Sequence, residues 1–153
     1  MIKIATVNDI ESLVQLRIKL LKESNSNINT FNLNNYCEIL EKYYRENLLN
    51  HKVIAFLALE NNIAVSISIM CFYTICPSPF NLDGKMALLT DMYTIPEYRN
   101  KGLGTSLLKT IMEYTKNLGY RKVTLNATDS GRKLYEKYGF KNLKGEMFYK
   151  FTI

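Results

Sequence analysis

The chain has 153 residues, a formal net charge of +6, 47% hydrophobic and 22% charged residues. That length fits one domain of roughly 100–200 residues, read as a single unit over 1–153, and the composition excludes disordered and fibrous classes. No apolar run reaches the roughly 18 residues of a membrane span, and "MIKIATVNDIES" lacks the long apolar core and small-residue cleavage site of a signal peptide.

"IKIAT" predicts a first strand, and Asn8 or Asp9 can cap the helix that follows. In "DIESLVQLRIKLLKE", Ile10, Leu13, Val14, Leu16, Leu20 and Leu21 recur at helical spacing. "NSNINTFN" is a polar break. "LNNYCEILEKYYRENLLN" predicts a second helix with Leu33, Tyr36, Ile39, Leu40, Tyr43 and Leu48 on its apolar face. "KVIAFLALE" and "IAVSISIMCFYTI" are β-rich runs joined at an Asn-Asn hairpin turn. "CPSPFNLDGK" is a loop, and "MALLTDMYTI" a strand ended by Pro96. A helix over "GLGTSLLKTIMEYTKNLG" has Leu103, Leu107, Leu108, Ile111, Met112 and Leu118 on one face, with Gly119 suited to its left-handed end. "YRKVTLNA" then predicts a strand, "SGRKLYEKY" a helix, "FKNL" a short strand and "MFYKFTI" a final one. The hairpins imply antiparallel pairing, and the strand–helix–strand unit over 86–127 implies a parallel pair with a right-handed crossover. The fold class expected is α/β (α+β): a mixed, mostly antiparallel sheet flanked by helices.

Cys37, Cys71 and Cys76 are odd in number, irregularly spaced and form no CxxC pair. This argues against a disulfide framework or zinc site and fits a reducing, cytoplasmic location. A structural thiol is the ordinary reading and a catalytic one the sharper alternative. The one histidine, His51, cannot build a metal cluster alone, so no metal is expected. The positive charge attracts polyanions, but it is dispersed, with no Lys/Arg block of the kind that reads nucleic acid. A phosphate-bearing small molecule suits it at least as well.

"RNKGLGTSLL" places Gly102 and Gly104 at the mouth of a predicted helix, with Arg99 and Lys101 beside them. A glycine turn running into a helix start is a generic anion site, since its first N–H groups are free and the dipole favours negative charge. A Walker loop fails for want of a Gly five residues ahead of a Gly-Lys. A dinucleotide fingerprint is weak, because Leu107 occupies the third glycine position. The remaining pattern is R-x-x-G-x-G.

In its setting, "YTIPEYRNKGLGTSLL" resembles the acetyl-CoA-binding motif of the GNAT superfamily of N-acetyltransferases. "SGRKLYEKYGF" resembles the family's downstream signature, and "IKIATVNDIESLVQL" a common GNAT opening. The likeness spans essentially the whole chain. It implies a GNAT fold with a βαβ acetyl-CoA-binding unit, acetyl-CoA as co-substrate, and transfer of its acetyl group to a primary amine of a small molecule or peptide. The alternative it leaves is a coenzyme A-binding module with weak or no catalysis, acting as a sensor or interaction protein. A second copy of the chain is a candidate partner, and no membrane is expected.

By this resemblance, Asn100 to Thr105, including Leu103, supply backbone N–H groups to the pyrophosphate, with Arg99 and Lys101 adding charge and Thr105 a hydroxyl. Met92, Tyr93 and Thr94 lie beside the pantetheine arm, and the Met92 N–H is placed to hold the thioester oxyanion. Tyr135 matches the tyrosine that protonates the departing thiolate. Many members carry a glutamate on the strand before the loop. Here Leu88 and Thr90 stand near that place, leaving Asp91 as candidate proton acceptor. An asparagine is common seven residues before the tyrosine, where this chain has Thr128, so Asn126 is a candidate substitute; Gly131 replaces a nearby alanine. The acceptor is expected between the first two helices, the 76–85 loop and the C-terminal strands, among Tyr36, Tyr43, Tyr73, Phe80 and Tyr149. Glu38, Glu41, Asp83 and Asp91 are scattered rather than clustered, as a polycation site would require.

Overall fold

Asn61 and Asn62 take φ of 49° and 64°, the geometry of a two-residue turn whose twist suits a hairpin. The turn joins β2 (Val53–Glu60) to β3 (Ile63–Thr74) and sets Glu60 opposite Ile63; a shift of one residue between Leu59 and Ala58 then places Leu57 opposite Ile67 and Phe56 opposite Ser68. The computed structural model describes residues 1–25 and 32–151, and part of the polar break at 25–32 falls outside them. Among the described residues β1 (Ile2–Ile4) pairs antiparallel with β2, β4 (Lys85–Thr94) antiparallel with β3, and β5 (Val123–Leu125) parallel with β4. The sheet order β1-β2-β3-β4-β5 thus follows the chain. Helices α1 (Ile10–Ser24) and α2 (Leu33–Leu49) lie between β1 and β2, α3 (Leu103–Asn117) links β4 to β5, and α4 (Asp129–Tyr138) follows β5. This is the mixed, mostly antiparallel, helix-flanked sheet expected. No helix among the described residues is long and apolar enough to cross a membrane.

Strand alternation divides the core into two layers. Val53, Ala55, Leu57, Ile67 and Ile69 pack against Leu13 and Val14 of α1 and Leu40 and Tyr44 of α2. Ile54, Phe56, Ala58 and Met70 face the other way, onto Leu107, Leu108 and Ile111 of α3. On β4 the alternation breaks. Ile69 pairs with Asp91 but Met70 with Leu89, so Thr90 is an extra, bulged residue. One extra residue inverts the phase of everything after it. Ala87 and Leu89 therefore face α3, while Tyr93 joins the α1–α2 layer. Pairing between β4 and β5 also stops at Leu89 and Leu125, so among the described residues β4 has no strand on that side beyond the bulge.

The inverted phase turns Asp91 toward α1, where Arg17 Nη1 bonds its Oδ1. Arg17 Nε also donates to the Tyr36 hydroxyl at 3.3 Å. Asp91 is 2% exposed, and its Oδ2 has no partner. Burial pushes the Asp91 carboxyl above the usual carboxylate range, and the Arg17 charge only partly draws it back. On Arg17 burial works against the charge, but Asp91 outweighs it and keeps the guanidinium protonated.

Three local expectations are corrected. Asp9 holds the N-cap position of α1 as expected, but its side chain makes no cap bond to that helix; it joins Thr6 in capping the 3₁₀ turn before it, where the Thr6 hydroxyl accepts from Asn8 N and Asp9 Oδ2 accepts from Thr6 N at 2.9 Å. On α2 the buried residues are Leu40 and Tyr44, with Ile39 and Tyr43 turned outward; several residues of the run are apolar on more than one face, so spacing alone leaves the rotation open. The predicted strands "FKNL" and "MFYKFTI" do not form over the described residues, and 147–151 carry no regular structure. A strand propensity becomes a strand only where a neighbouring edge accepts its hydrogen bonds.

Replacing Arg17 by Met leaves a buried carboxylate unpaired and should cost about 3 kcal/mol, read as a lower urea midpoint near neutral pH. Because the stranded carboxyl is held above its ordinary range, its charged form is penalised above that pKa and relieved below it. The deficit should therefore shrink as pH falls toward the carboxylate range. A deficit independent of pH would show that Asp91 is not the group left stranded.

Candidate active site

Where β5 leaves β4, the two strands splay and a cleft of about 690 Å³ opens. One wall is the far half of β4: Met92, Tyr93 and Thr94. A short 3₁₀ turn at Pro96–Tyr98 then carries the chain into Asn100, at φ 60°, and Gly102, at φ 79°. Both lie in the left-handed region, where a Cβ at Gly102 would be strained although nothing stands within 4 Å of it. This turn aims the first N–H groups of α3, those of Leu103, Gly104 and Thr105, which have no carbonyl one turn behind them in the helix, at the cleft. The opposite wall is the start of α4, capped by Thr128 Oγ1 accepting from Gly131 N at 3.2 Å.

The Tyr135 ring closes that wall, half-buried and edge-to-face with Phe140 at 5.8 Å. Gly131 makes room for it: a Cβ there would come within 3.1 Å of the ring and 3.3 Å of Thr128 Oγ1. Burial, and after it the negative charge of Asp91, raises the Tyr135 phenol above its ordinary value. It is therefore a proton donor throughout the neutral range.

The charges are arranged differently from their spacing in the chain. Arg99 does not reach freely into the cleft. Its Nη2 lies 2.6 Å from Glu23 at the end of α1, its Nε donates to Thr94 O at 2.9 Å, and it lies over the Tyr93 ring. Glu23 in turn is held below the usual carboxylate range, chiefly by the hydrogen bond from Arg99. Lys101 Nζ sits 4.6 Å from the centroid of Tyr98.

Of the residues expected at the site, Met92, Tyr93, Thr94, Arg99, Asn100, Gly102, Leu103, Gly104, Thr105, Thr128 and Tyr135 line this one cleft. Asp91, one residue from Met92, lies behind β4 in its pair with Arg17. Asn126 lines a separate groove along β5 that shares only Tyr135 with the cleft. Glu23, Asp129 and Ser130 also line the cleft; Ser130 opens the "SGRKLYEKYGF" motif, while no motif announced Glu23 or Asp129. Glu23 and Arg99 are 76 residues apart in the chain, so only the packing of α1 over β4 brings them together.

The acetyltransferase (GNAT) family model matches residues 28–140. The chain belongs to this family. Membership makes it an acyltransferase of the acetyl-CoA-dependent class, and the GNAT architecture accounts for the order of sheet and helices. Among similar structures, a predicted acetyltransferase of Clostridium acetobutylicum, solved with acetyl-CoA, is 27% identical with a TM-score of 0.88, over 98% of this chain and 95% of that one. A GCN5-related N-acetyltransferase of Ralstonia eutropha shares the fold at 18% identity, with a TM-score of 0.87 over 99% of this chain and 97% of that one. An uncharacterised N-acetyltransferase of Bacillus subtilis, YhfO, is 27% identical over 71% of this chain and 72% of its own length. The mouse thialysine N-epsilon-acetyltransferase is 33% identical over 37% of this chain, and the match spans about a third, 34%, of that protein.

Glu23 places a carboxylate on the wall of a GNAT cleft whose helix start favours anions. Glu23→Gln should strengthen coenzyme A binding several-fold in calorimetry, and the gain should fade as salt is raised. Unchanged affinity would mean that Glu23 is too far from the bound phosphates to be felt.

Proposed function

We propose that the protein transfers the acetyl group of acetyl-CoA to a primary amine by direct attack in a ternary complex. The observation that carries this is a single cleft lined both by the glycine turn at the start of α3 and by a half-buried, protonated tyrosine. The residues fit the co-substrate. A strand edge at Met92–Thr94 suits an extended amide-bearing arm, and the free N–H groups at 103–105 suit a pyrophosphate. Acetyl-CoA supplies the activated acyl group, and the protein supplies position, an oxyanion donor and a proton.

The amine nitrogen forms its bond to the thioester carbon while the backbone N–H of Met92 steadies the oxygen. The carbon–sulfur bond breaks, the sulfur keeps the electron pair, and Tyr135 gives it the phenolic proton. Solvent then reprotonates Tyr135. The attacking amine must lose a proton, and we assign its acceptance to Asp91 through a water. The support is that Oδ2 has no partner and that burial moves the carboxyl in the direction a base needs. A second reading, a coenzyme A-holding module without turnover, draws on the engagement of Asp91 with Arg17.

An acetyl-CoA assay following free thiol against a panel of amines, amino acids and peptide N-termini separates the two readings. Turnover supports the first; tight coenzyme binding with no thiol release on any acceptor supports the second. Tyr135→Phe should lower kcat about a hundredfold with coenzyme affinity retained. Since burial raises the phenol, the acid form is lost only as pH climbs past its ordinary value of about 10, and wild-type kcat should show no Tyr135-dependent fall below that. A Tyr135→Phe variant as fast as wild type would remove Tyr135 as the acid.

Asp91→Asn should slow the reaction most near neutral pH, and the wild-type-to-variant ratio should shrink at alkaline pH, where the amine is already neutral. A ratio constant with pH would reduce Asp91 to a partner of Arg17.

A further inference from the structure

Arg17 is held from two elements at once. Its Nε donates to the Tyr36 hydroxyl of α2 at 3.3 Å, and its Nη1 bonds Asp91 Oδ1 of β4. Among the described residues Nη2 has no hydrogen-bond partner, and the side chain remains 27% exposed. A guanidinium that only neutralised a buried carboxylate would need neither the hydroxyl nor the exposure. Asp91 is the one carboxylate in ion-pair contact with Arg17 among the described residues, and its own Oδ2 is buried without a partner. The pair therefore has an unspent donor on its cation and an unspent acceptor on its anion.

The place of this pair relates it to the cleft. Arg17, Leu20 and Ser24 stand at i, i+3 and i+7 on α1, one face of the helix, and Leu20 and Ser24 line the cleft. Arg17 is thus one turn, about 5 Å along the axis, below that wall. Asp91 directly precedes Met92, which lines the same cleft from β4. The coenzyme cleft and the Arg17–Asp91 pair meet along this stretch of strand, with the pair on the α1–α2 side.

We propose that Arg17 Nη2 binds the carboxylate of the acetyl acceptor, and that the acceptor is a free α-amino acid. A planar, permanently charged guanidinium with N–H groups to spare matches a carboxylate in shape and charge. Asp91 and Arg17 touch, so the group that takes the proton and the group that takes the anion are neighbours. A ligand meeting both must carry its amine and its carboxylate close together, as an α-amino acid does. Tyr36 is the positioning residue, steadying Nε so that Nη2 faces the ligand. Binding also tunes the base: a carboxylate seated on Arg17 draws part of its charge, which loosens its hold on Asp91 and raises the affinity of that carboxyl for a proton. The role of Asp91 in this inference rests on the acetyl-transfer reading; the carboxylate site does not.

The test gives the full chain each common L-amino acid, its α-amide and its decarboxylated amine, with acetyl-CoA. For the preferred side chain, kcat/KM should be at least tenfold higher for the acid than for either analogue. The amide's amine is less basic than the acid's and the decarboxylated amine's more basic, so a preference over both does not come from amine basicity. Equal rates on acid and amide overturn the carboxylate site. Arg17→Lys keeps a charge beside Asp91 but loses the fork, and should cut the acid-to-amide ratio at least fivefold. Tyr36→Phe leaves the ion pair in place, and should raise KM for the acid several-fold relative to KM for the amide, with kcat changed less. A wild-type ratio in both variants places the carboxylate elsewhere and overturns the assignment to Arg17; if Arg17→Lys does not fold, Tyr36→Phe decides. Calorimetry with coenzyme A present and no acetyl donor scores the site without turnover. Selective binding of the acid with no thiol release on any acceptor refutes acetyl transfer and supports the carboxylate site. Turnover without any preference for the acid, in rate or in binding, does the reverse.

Discussion

Thr90 stands unpaired between Leu89, opposite Met70, and Asp91, opposite Ile69. This one surplus residue inverts the phase of β4. It sends Asp91 and Tyr93 to the α1–α2 side and coincides with the end of β4–β5 pairing at Leu89 and Leu125. Without it, the two parallel strands could continue side by side and the space between their ends would close. The inversion would be costly if Asp91 were turned into the apolar layer alone, and the Arg17 guanidinium meets it there. Bulge, ion pair and cleft are one arrangement: the bulge creates the buried carboxylate, the ion pair makes it tolerable, and the splay leaves a strand edge open.

The affinity for anions proposed for the cleft rests on the backbone more than on side chains. Arg99 is engaged by Glu23 and by Thr94 O, and Lys101 lies over Tyr98. What remains directed at the cleft is the first turn of a 15-residue helix entered through a left-handed glycine. Free N–H groups and the dipole act there without side-chain entropy to lose. Arg99 instead fastens the end of α1 to the end of β4, so the ion pair shapes the wall as much as it sets the charge. Together with a half-buried tyrosine whose ring needs the space left by Gly131, this makes a site defined by where backbone and rings are held.

The legibility of the chain differed from element to element for a consistent reason. The Asn61–Asn62 hairpin, the α3 stripe and the Gly119 helix end are local, and their side-chain periods and backbone preferences decide them within a few residues. The glycine turn is local too, which is why Gly102, Gly104 and their neighbours could be named in advance. The rotation of α2 was not local. Its run carries apolar residues around more than one face, and contact with β2 and α1 chose Leu40 and Tyr44 over Ile39 and Tyr43. Asp91 looked like a neighbour of Met92 and proved to be separated from it by the thickness of the strand. Asn126 similarly fell outside the cleft that holds Thr128.

By itself, then, the sequence determined the order of strands and helices, the glycine turn at α3, and the family, through backbone preferences and motifs that act over a few residues. Tertiary structure decided which side of β4 each residue faces, that Arg17 and Glu23 meet Asp91 and Arg99 across 74 and 76 residues, and that among the described residues 147–151 join no strand of the sheet. Strand propensity is a property of the segment, but a strand needs an edge to bond to. A charge is a property of the residue, but its role depends on which opposite charge the fold places beside it.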